Sequence, residues 1–209
     1  MLNRLLLNKD RTNYKRLIQD MFAVCPEMMS RKIPEANVQQ AFVVETVQGI
    51  LKKKPNARIL CVGAFEDTAT HYLGNLGVVI VNIDPVENVD LAKFHGRSPE
   101  PFDIIFATSV LEHVPQDEVF VAQIGDLLKK GVGATAILTC DFNNGYKSGA
   151  PVPATVVRQY TKEDLLVRLP SVLETVGCKI IGKPTYNGKP DFLYQGHTYC
   201  FATFVFKKR

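Results

Sequence analysis

No apolar run in this 209-residue chain approaches the roughly 20 residues that a membrane helix needs. Runs such as Val78–Val81 and Ile104–Ala107 are the length of buried strands. The opening residues have a three-leucine run and then charges, without the longer apolar stretch and small-residue cleavage site of a secretory signal. The chain also lacks any Cys-x-x-Cys pair. Its five cysteines, Cys25, Cys61, Cys140, Cys178 and Cys200, are odd in number and widely spaced, which gives a zinc site or a disulfide framework no support. There is no internal repeat and no low-complexity tract. These absences lead to the expectation of a soluble, cytoplasmic protein with reduced thiols packed as small hydrophobes.

What is present is the composition of an ordinary globular domain, with 46% apolar and 22% charged residues. The net charge of +4 is unevenly spread. Residues 1–58 carry 11 Lys/Arg against 5 Asp/Glu, residues 59–180 carry 9 against 15, and the remainder is basic again. The dense run Lys52–Lys54 suits a solvated helix end rather than a nucleic-acid face. A nucleic-acid acceptor is therefore not expected.

From residue 58 onward strand and helix signals alternate. Strands are predicted at 58–62, 78–83, briefly at 89–91, then at 103–108, 134–140, 178–183 and 199–206. Helices are predicted at 67–75, at 115–130 with Pro115 in the first turn, and at 162–176 with a kink at Pro170. Such alternation implies an α/β fold with a Rossmann-like, doubly wound, mostly parallel sheet of seven strands. No helix separates the last two strands, so the last one should run antiparallel. Residues 1–57 read as helices only and form a possible lid, and residues 58–209 form the core.

In an open parallel sheet, ligands bind outside the carboxyl ends of the strands. Here those ends are Gly63–Asp67, Asp84, Asp90, Thr108–His113 and Asp141–Asn144. Asp84 follows Gly63 by 21 residues, a spacing that suits a carboxylate accepting ribose hydroxyls. A dinucleotide would also need glycines and a bare helix N-terminus for its pyrophosphate. The turn instead reads Gly63-Ala64-Phe65-Glu66-Asp67, placing two carboxylates where an anion would go. S-adenosylmethionine has no phosphate and carries two cationic centres, so this turn accommodates it. For Asp67 a second reading stands beside that one: a plain helix cap.

The motifs together resemble class I S-adenosylmethionine-dependent methyltransferases over residues 58–209. Ile59-Leu-Cys-Val-Gly63 takes the place of the glycine-rich first motif, and Val79–Pro85 resembles the second strand with its acidic ribose ligand. Phe102-Asp-Ile-Ile-Phe-Ala-Thr-Ser-Val-Leu-Glu112-His113-Val114, followed by Asp126-Leu-Leu-Lys-Lys-Gly131, is similar to the fourth strand and the helix after it. The resemblance implies cofactor contacts from Gly63, Ala64, Phe65, Glu66, Asp67, Asp84, Pro85, Asp90, Leu91, Thr108 and Ser109. Cys61 stands where many members carry an acid, and Glu66 or Asp67 is the candidate replacement.

Methyl transfer from a sulfonium is an in-line displacement that needs alignment and water exclusion. A hydroxyl acceptor also benefits from a base. His113 is the candidate, with Glu112 beside it, because it is the histidine at the carboxyl end of a central strand. No ligand spacing demands a metal. The loops 141–160 and 185–198 carry Asp141, Asn143, Tyr146 and Tyr194, expected to contact a small polar acceptor such as a sugar. The competing expectation is a non-catalytic methyltransferase-like binding module.

Overall fold

The computed structural model describes residues 1–131 and 133–209. In chain order it has β1 (Leu5–Leu6), α1 (Asn8–Asn13), α2 (Lys15–Val24), α3 (Pro26–Arg31), α4 (Asn37–Leu51), β2 (Ile59–Val62), α5 (Thr68–Asn75), β3 (Ile80–Ile83), α6 (Leu91–Gly96) and β4 (Ile104–Thr108). There follow α7 (Asp117–Leu127), β5 (Thr135–Phe142), α8 (Leu169–Thr175), β6 (Cys178–Ile180), β7 (Phe192–Tyr194) and β8 (His197–Lys208).

Strands β3, β2, β4 and β5 lie side by side and parallel, and β8 pairs antiparallel with β5 from Thr135↔Lys207 to Phe142↔Cys200. The expected α/β sheet and its antiparallel last strand are thus present. Alternation along each strand sends side chains to opposite faces. Leu60, Val62, Ile105, Ala107 and Leu138 pack with Val121, Ile124, Leu127 and Leu173 of α7 and α8. Ile59, Cys61, Ile104, Phe106 and Ile137 pack on the other face with Val38, Ala41 and Phe42 of α4 and with Leu73 of α5. Both faces are covered, as parallel sheets require.

Several expectations are corrected. Among the described residues the sheet has eight strands rather than seven. Nothing pairs at residues 89–91, because Asp90 accepts the Lys93 N–H (2.8 Å) and caps α6 there. The N-terminal region is not purely helical. Leu5 and Leu6 pair with Ala202 and Phe201, and the buried Asn3 side chain donates to Ile181 O and Val205 O and accepts the Val205 N–H. Three short strands, β7, β1 and β6, thus tile the outer edge of the long β8. The last loop contributes a hairpin arm, turning through Gln195 (φ 49°) and Gly196 (φ 80°) as a tight hairpin favours. The helix expected at 115–130 starts later, at Asp117, beyond Pro115. At Pro170, which cannot donate an N–H to the preceding turn, a π-helical turn at Asp164–Arg168 runs into α8.

Asp117 ties the region around α7 together. It accepts from Arg168 (2.8 Å), Arg158 (3.1 Å) and the Tyr160 hydroxyl (2.9 Å), and is 3% exposed. Burial pushes its carboxyl up, but the Arg168 and Tyr160 hydrogen bonds outweigh burial and hold it below the usual range. Asp117→Ala should therefore destabilise the fold by about 2–3 kcal/mol, because Arg158 loses its carboxylate and Arg168 and Tyr160 each lose one of their partners. A drop in Tm of roughly 5–10 °C in calorimetry would register it. A carboxyl depressed in the folded state contributes stability above its unfolded value near pH ~4, and that contribution disappears as pH falls through the folded value. The difference between wild type and variant should accordingly shrink below pH ~4.

Candidate active site

A cavity of about 1080 Å³ opens at the carboxyl ends of β2, β3 and β4. That is ample for a small-molecule site. Its inner wall begins at Gly63, which has φ +80° and hands its N–H to Ile83 O (2.9 Å). A Cβ at Gly63 would overlap the Val110 side chain, so both the backbone angle and the space demand glycine. Ala64 is buried behind this turn and does not line the cavity, whereas Phe65 does and is half exposed.

Asp84, at the end of β3, is held by backbone donors. Its Oδ1 accepts the Val86 N–H (2.7 Å) and its Oδ2 the Phe65 N–H (3.2 Å). Pro85, Val89, Asp90 and Leu91 continue this wall. Asp90 is also paired with Lys93 at 3.2 Å.

The two carboxylates of the first turn differ in state. Glu66 is engaged by Arg31, whose Nε and Nη2 both donate to Oε1 (2.9 and 2.6 Å). Asp67 is 2% exposed and caps α5 by accepting the Thr70 N–H (2.7 Å) through Oδ1. Its Oδ2 is buried without a partner. Burial pushes its carboxyl up against the lowering effect of the Thr70 bond. Asp67 thus caps a helix from the cavity lining, with its second oxygen buried near the Thr108 and Gln40 side chains.

β4 delivers Thr108 and Ser109. The Thr108 hydroxyl is buried without a partner. Ser109 sits at φ +57°, its N–H on Thr139 Oγ1 (3.0 Å) and its hydroxyl donating to Glu112 Oε1 (2.6 Å). Glu112 is buried and does not line the cavity; its carbonyl accepts the Val157 N–H (2.8 Å), pinning the loop after β5. Burial pushes the Glu112 carboxyl up, and burial together with the Glu112 charge does the same more strongly to buried Asp141. His113 lines the cavity and is exposed, with Nδ1 2.7 Å from Thr155 O. A carbonyl can only accept, so Nδ1 carries the proton and Nε2 is left as an acceptor.

The expected acceptor residues separate. Tyr194 lines the main cavity, Asp141 is buried and lines neither cavity, and Asn143 and Tyr146 line a second, smaller cavity. Residues that the sequence reading passed over also contribute. Arg31, Lys32, Gln39 and Gln40 come from the N-terminal region, and Thr155 from the loop after β5. Gln39 donates to Ser109 Oγ (3.2 Å), and Gln40 accepts the Ala69 N–H (2.8 Å). The available signal was a Gln-Gln pair just before the apolar stretch Ala41–Val44 of a helix, since buried polar residues are the informative exceptions.

No family model matches the chain. Curated relatives include the mitochondrial ubiquinone biosynthesis O-methyltransferases of Mus musculus (33% identical over 97 residues) and Rattus norvegicus (32%). Each alignment covers 35% of this chain, which spans about a quarter of those relatives, 26% and 28%. Similar solved structures include a Burkholderia thailandensis 1,6-didemethyltoxoflavin N1-methyltransferase with S-adenosylhomocysteine (14% identical, 97% of this chain and 92% of that one, TM-score 0.53). A magnesium protoporphyrin IX methyltransferase from Synechocystis PCC 6803, also with S-adenosylhomocysteine, matches 97% of this chain and all of its own (11% identical, TM-score 0.53). A CurJ carbon methyltransferase has a TM-score of 0.56 at 13% identity, over 95% of this chain and 67% of that one. The chain has the fold of class I S-adenosylmethionine-dependent methyltransferases. Among its described residues no helix is long and apolar enough to cross a membrane.

Proposed function

We propose that the chain is an S-adenosylmethionine-dependent methyltransferase that O-methylates a small polar acceptor, a sugar or a related metabolite. The observation that carries this reading is the cavity wall itself. It combines a glycine that tolerates no side chain, a carboxylate fixed at the next strand end, and a buried carboxylate oxygen with no partner. These fit the cofactor. Gly63 would give room for close approach, Asp84 would accept ribose hydroxyls, Val89 and Leu91 would flank the base, and Asp67 would face the amino group. When bound, S-adenosylmethionine supplies an electrophilic methyl group on a sulfonium. His113 would take the acceptor hydroxyl's proton at Nε2. Arg31, Lys32, Ile33 and Ala36 would exclude water from above, the role of a lid for the N-terminal region. The O-methyltransferase relatives support oxygen as the methylated atom. Five free cysteines suit a reducing, cytoplasmic setting.

Calorimetry with S-adenosylmethionine and S-adenosylhomocysteine tests the reading, since binding of neither would overturn it. Binding without turnover on a panel of hydroxylated acceptors would favour the non-catalytic module. Within the site, Asp67→Asn should weaken S-adenosylmethionine binding about tenfold, the worth of one charge-assisted hydrogen bond. Glu66→Ala should change it little, because Arg31 already occupies that carboxylate. Burial holds the Asp67 proton on to higher pH in the free protein. A cationic ligand selects the ionised form, so affinity should rise with pH through that titration and the Asn variant should lose the slope. A pH-independent wild-type affinity would remove Asp67 from the cofactor site.

A further inference from the structure

The active-site cavity lies at the carboxyl ends of the parallel strands, so their amino ends form the opposite edge of the sheet. The chain order places a row of cations along this second edge. Lys52 and Lys53 leave α4 ahead of β2, and Lys129 and Lys130 follow α7 ahead of β5. β8 runs antiparallel to β5 and so ends here, with Lys207 level with Thr135. β6 starts here, and its Lys179 stands directly opposite Lys207. From β2 through β4, β5 and β8 to β6 the edge spans about 20 Å at the usual strand spacing.

Carboxylates do not balance this edge. Asp103 is taken by Lys54, Glu100 by Arg58 and Asp126 by Lys208, which leaves Glu174 near the end of α8. Among the described residues none of the six lysines has an ion-pair partner, and all but the half-buried Lys207 are exposed. A cation at a helix end answers the macrodipole, which accounts for the lysines after α4 and α7. The strand pair has no such account, because like charges directly opposite each other in a ladder repel. Two aliphatic side chains project at the same edge. Val79, level with Arg58 and one residue before β3, is 87% exposed, and Leu76, in the turn after α5, is 52% exposed.

Lysines act as point charges rather than as the planar forks that grip single phosphates. Spread over a broad edge beside projecting aliphatic groups, they match an anionic bilayer, whose headgroups meet the charges and whose interface takes the apolar tips. Nucleic acid gains nothing from Val79 and Leu76. The aromatic ring at this edge, Phe102, is buried under the Arg58 guanidinium and offers no base a stacking face.

We propose that this edge is a docking surface for a membrane rich in anionic lipid, on which the chain rests reversibly with its active-site cavity turned to the water. The association needs no spanning helix. It does not rest on the methyltransferase reading, because no residue of the cavity takes part.

Co-sedimentation of the whole chain with vesicles tests it, using phosphatidylcholine alone and phosphatidylcholine with phosphatidylglycerol. The chain should bind the anionic vesicles at low salt and not the neutral ones. It should leave them near 1 M salt, where the Debye length falls to about 3 Å. Each lysine close to such a surface is worth about fivefold in partitioning, so Lys179→Gln with Lys207→Gln should weaken binding roughly 10- to 30-fold. That pair of changes removes a repulsion, so the double variant should melt no lower than wild type. Lys52→Gln with Lys53→Gln, at an exposed helix end, should weaken binding by a similar factor, and Val79→Asp should weaken it as well. Lys147→Gln, at the active-site end, should leave it unchanged. S-adenosylmethionine affinity should be that of wild type in every variant. Equal binding to both vesicles, no binding at low salt, or a loss with Lys147→Gln as large as with either lysine pair would overturn the proposal. Tighter binding of a duplex RNA or of poly-glutamate at the same salt would also overturn it, and would give the edge to a nucleic acid or an acidic protein.

Discussion

Replacing His113 with asparagine should lower methyl-transfer turnover by roughly 10²–10⁴-fold while leaving S-adenosylmethionine affinity at the wild-type value. Asparagine keeps a donor that can meet Thr155 O, so the loop contact at 2.7 Å has a substitute. It has no basic nitrogen, so the proton of an acceptor hydroxyl has nowhere to go. If His113 is the base as proposed, Thr155 is a positioning residue, since its carbonyl selects the tautomer that leaves Nε2 free. Single-turnover kinetics with saturating cofactor would separate this loss from a binding defect. Wild-type turnover in the variant would show that the acceptor needs no base, as for a nucleophile already deprotonated.

Gly63→Ala should reduce S-adenosylmethionine binding by at least about 100-fold, through two separable effects. An alanine at φ +80° pays roughly 1–2 kcal/mol for the left-handed backbone. Its Cβ also overlaps Val110, and overpacking of this kind costs about 1–3 kcal/mol. The turn can relieve both only by shifting, and it carries the Phe65 N–H that holds Asp84. Val110→Ala alone should be mild. The double variant should recover the steric part in thermal melts but not the backbone part. If Gly63→Ala bound the cofactor normally, the first turn would not be the place where the ligand comes closest.

The sheet and its crevice were legible because their signals are local. Runs such as Ile104–Thr108 alternate between two apolar faces, and Gly63, Asp84 and Thr108 follow directly from strand ends. The state of each side chain was not legible. Whether Glu66 is available depends on Arg31, 35 residues earlier, and which nitrogen of His113 is basic depends on Thr155, 42 residues later. Residues 89–91 carried a strand-like apolar pair, yet Asp90 capping decided the segment for a helix. Leu5–Leu6 offered two residues of strand, too few for any periodicity, and its partner lies at the far end of the chain.

That last pairing has a kinetic consequence. β8 sits between β5 and every strand on its outer edge, so β1 has no template until β8 is in place. Closing a loop of roughly 200 residues to bring Leu5 to Ala202 carries an entropic cost of about 5 kcal/mol, by the logarithmic dependence on length. Such a contact forms late, after the parallel strands and α4 have collapsed, and long-range pairings of this kind slow folding. The N-terminal segment that walls the cavity is therefore anchored by the last step of assembly. During refolding, S-adenosylmethionine binding should be acquired no earlier than protection of the Thr203 amide, which donates to Arg4 O, from hydrogen exchange.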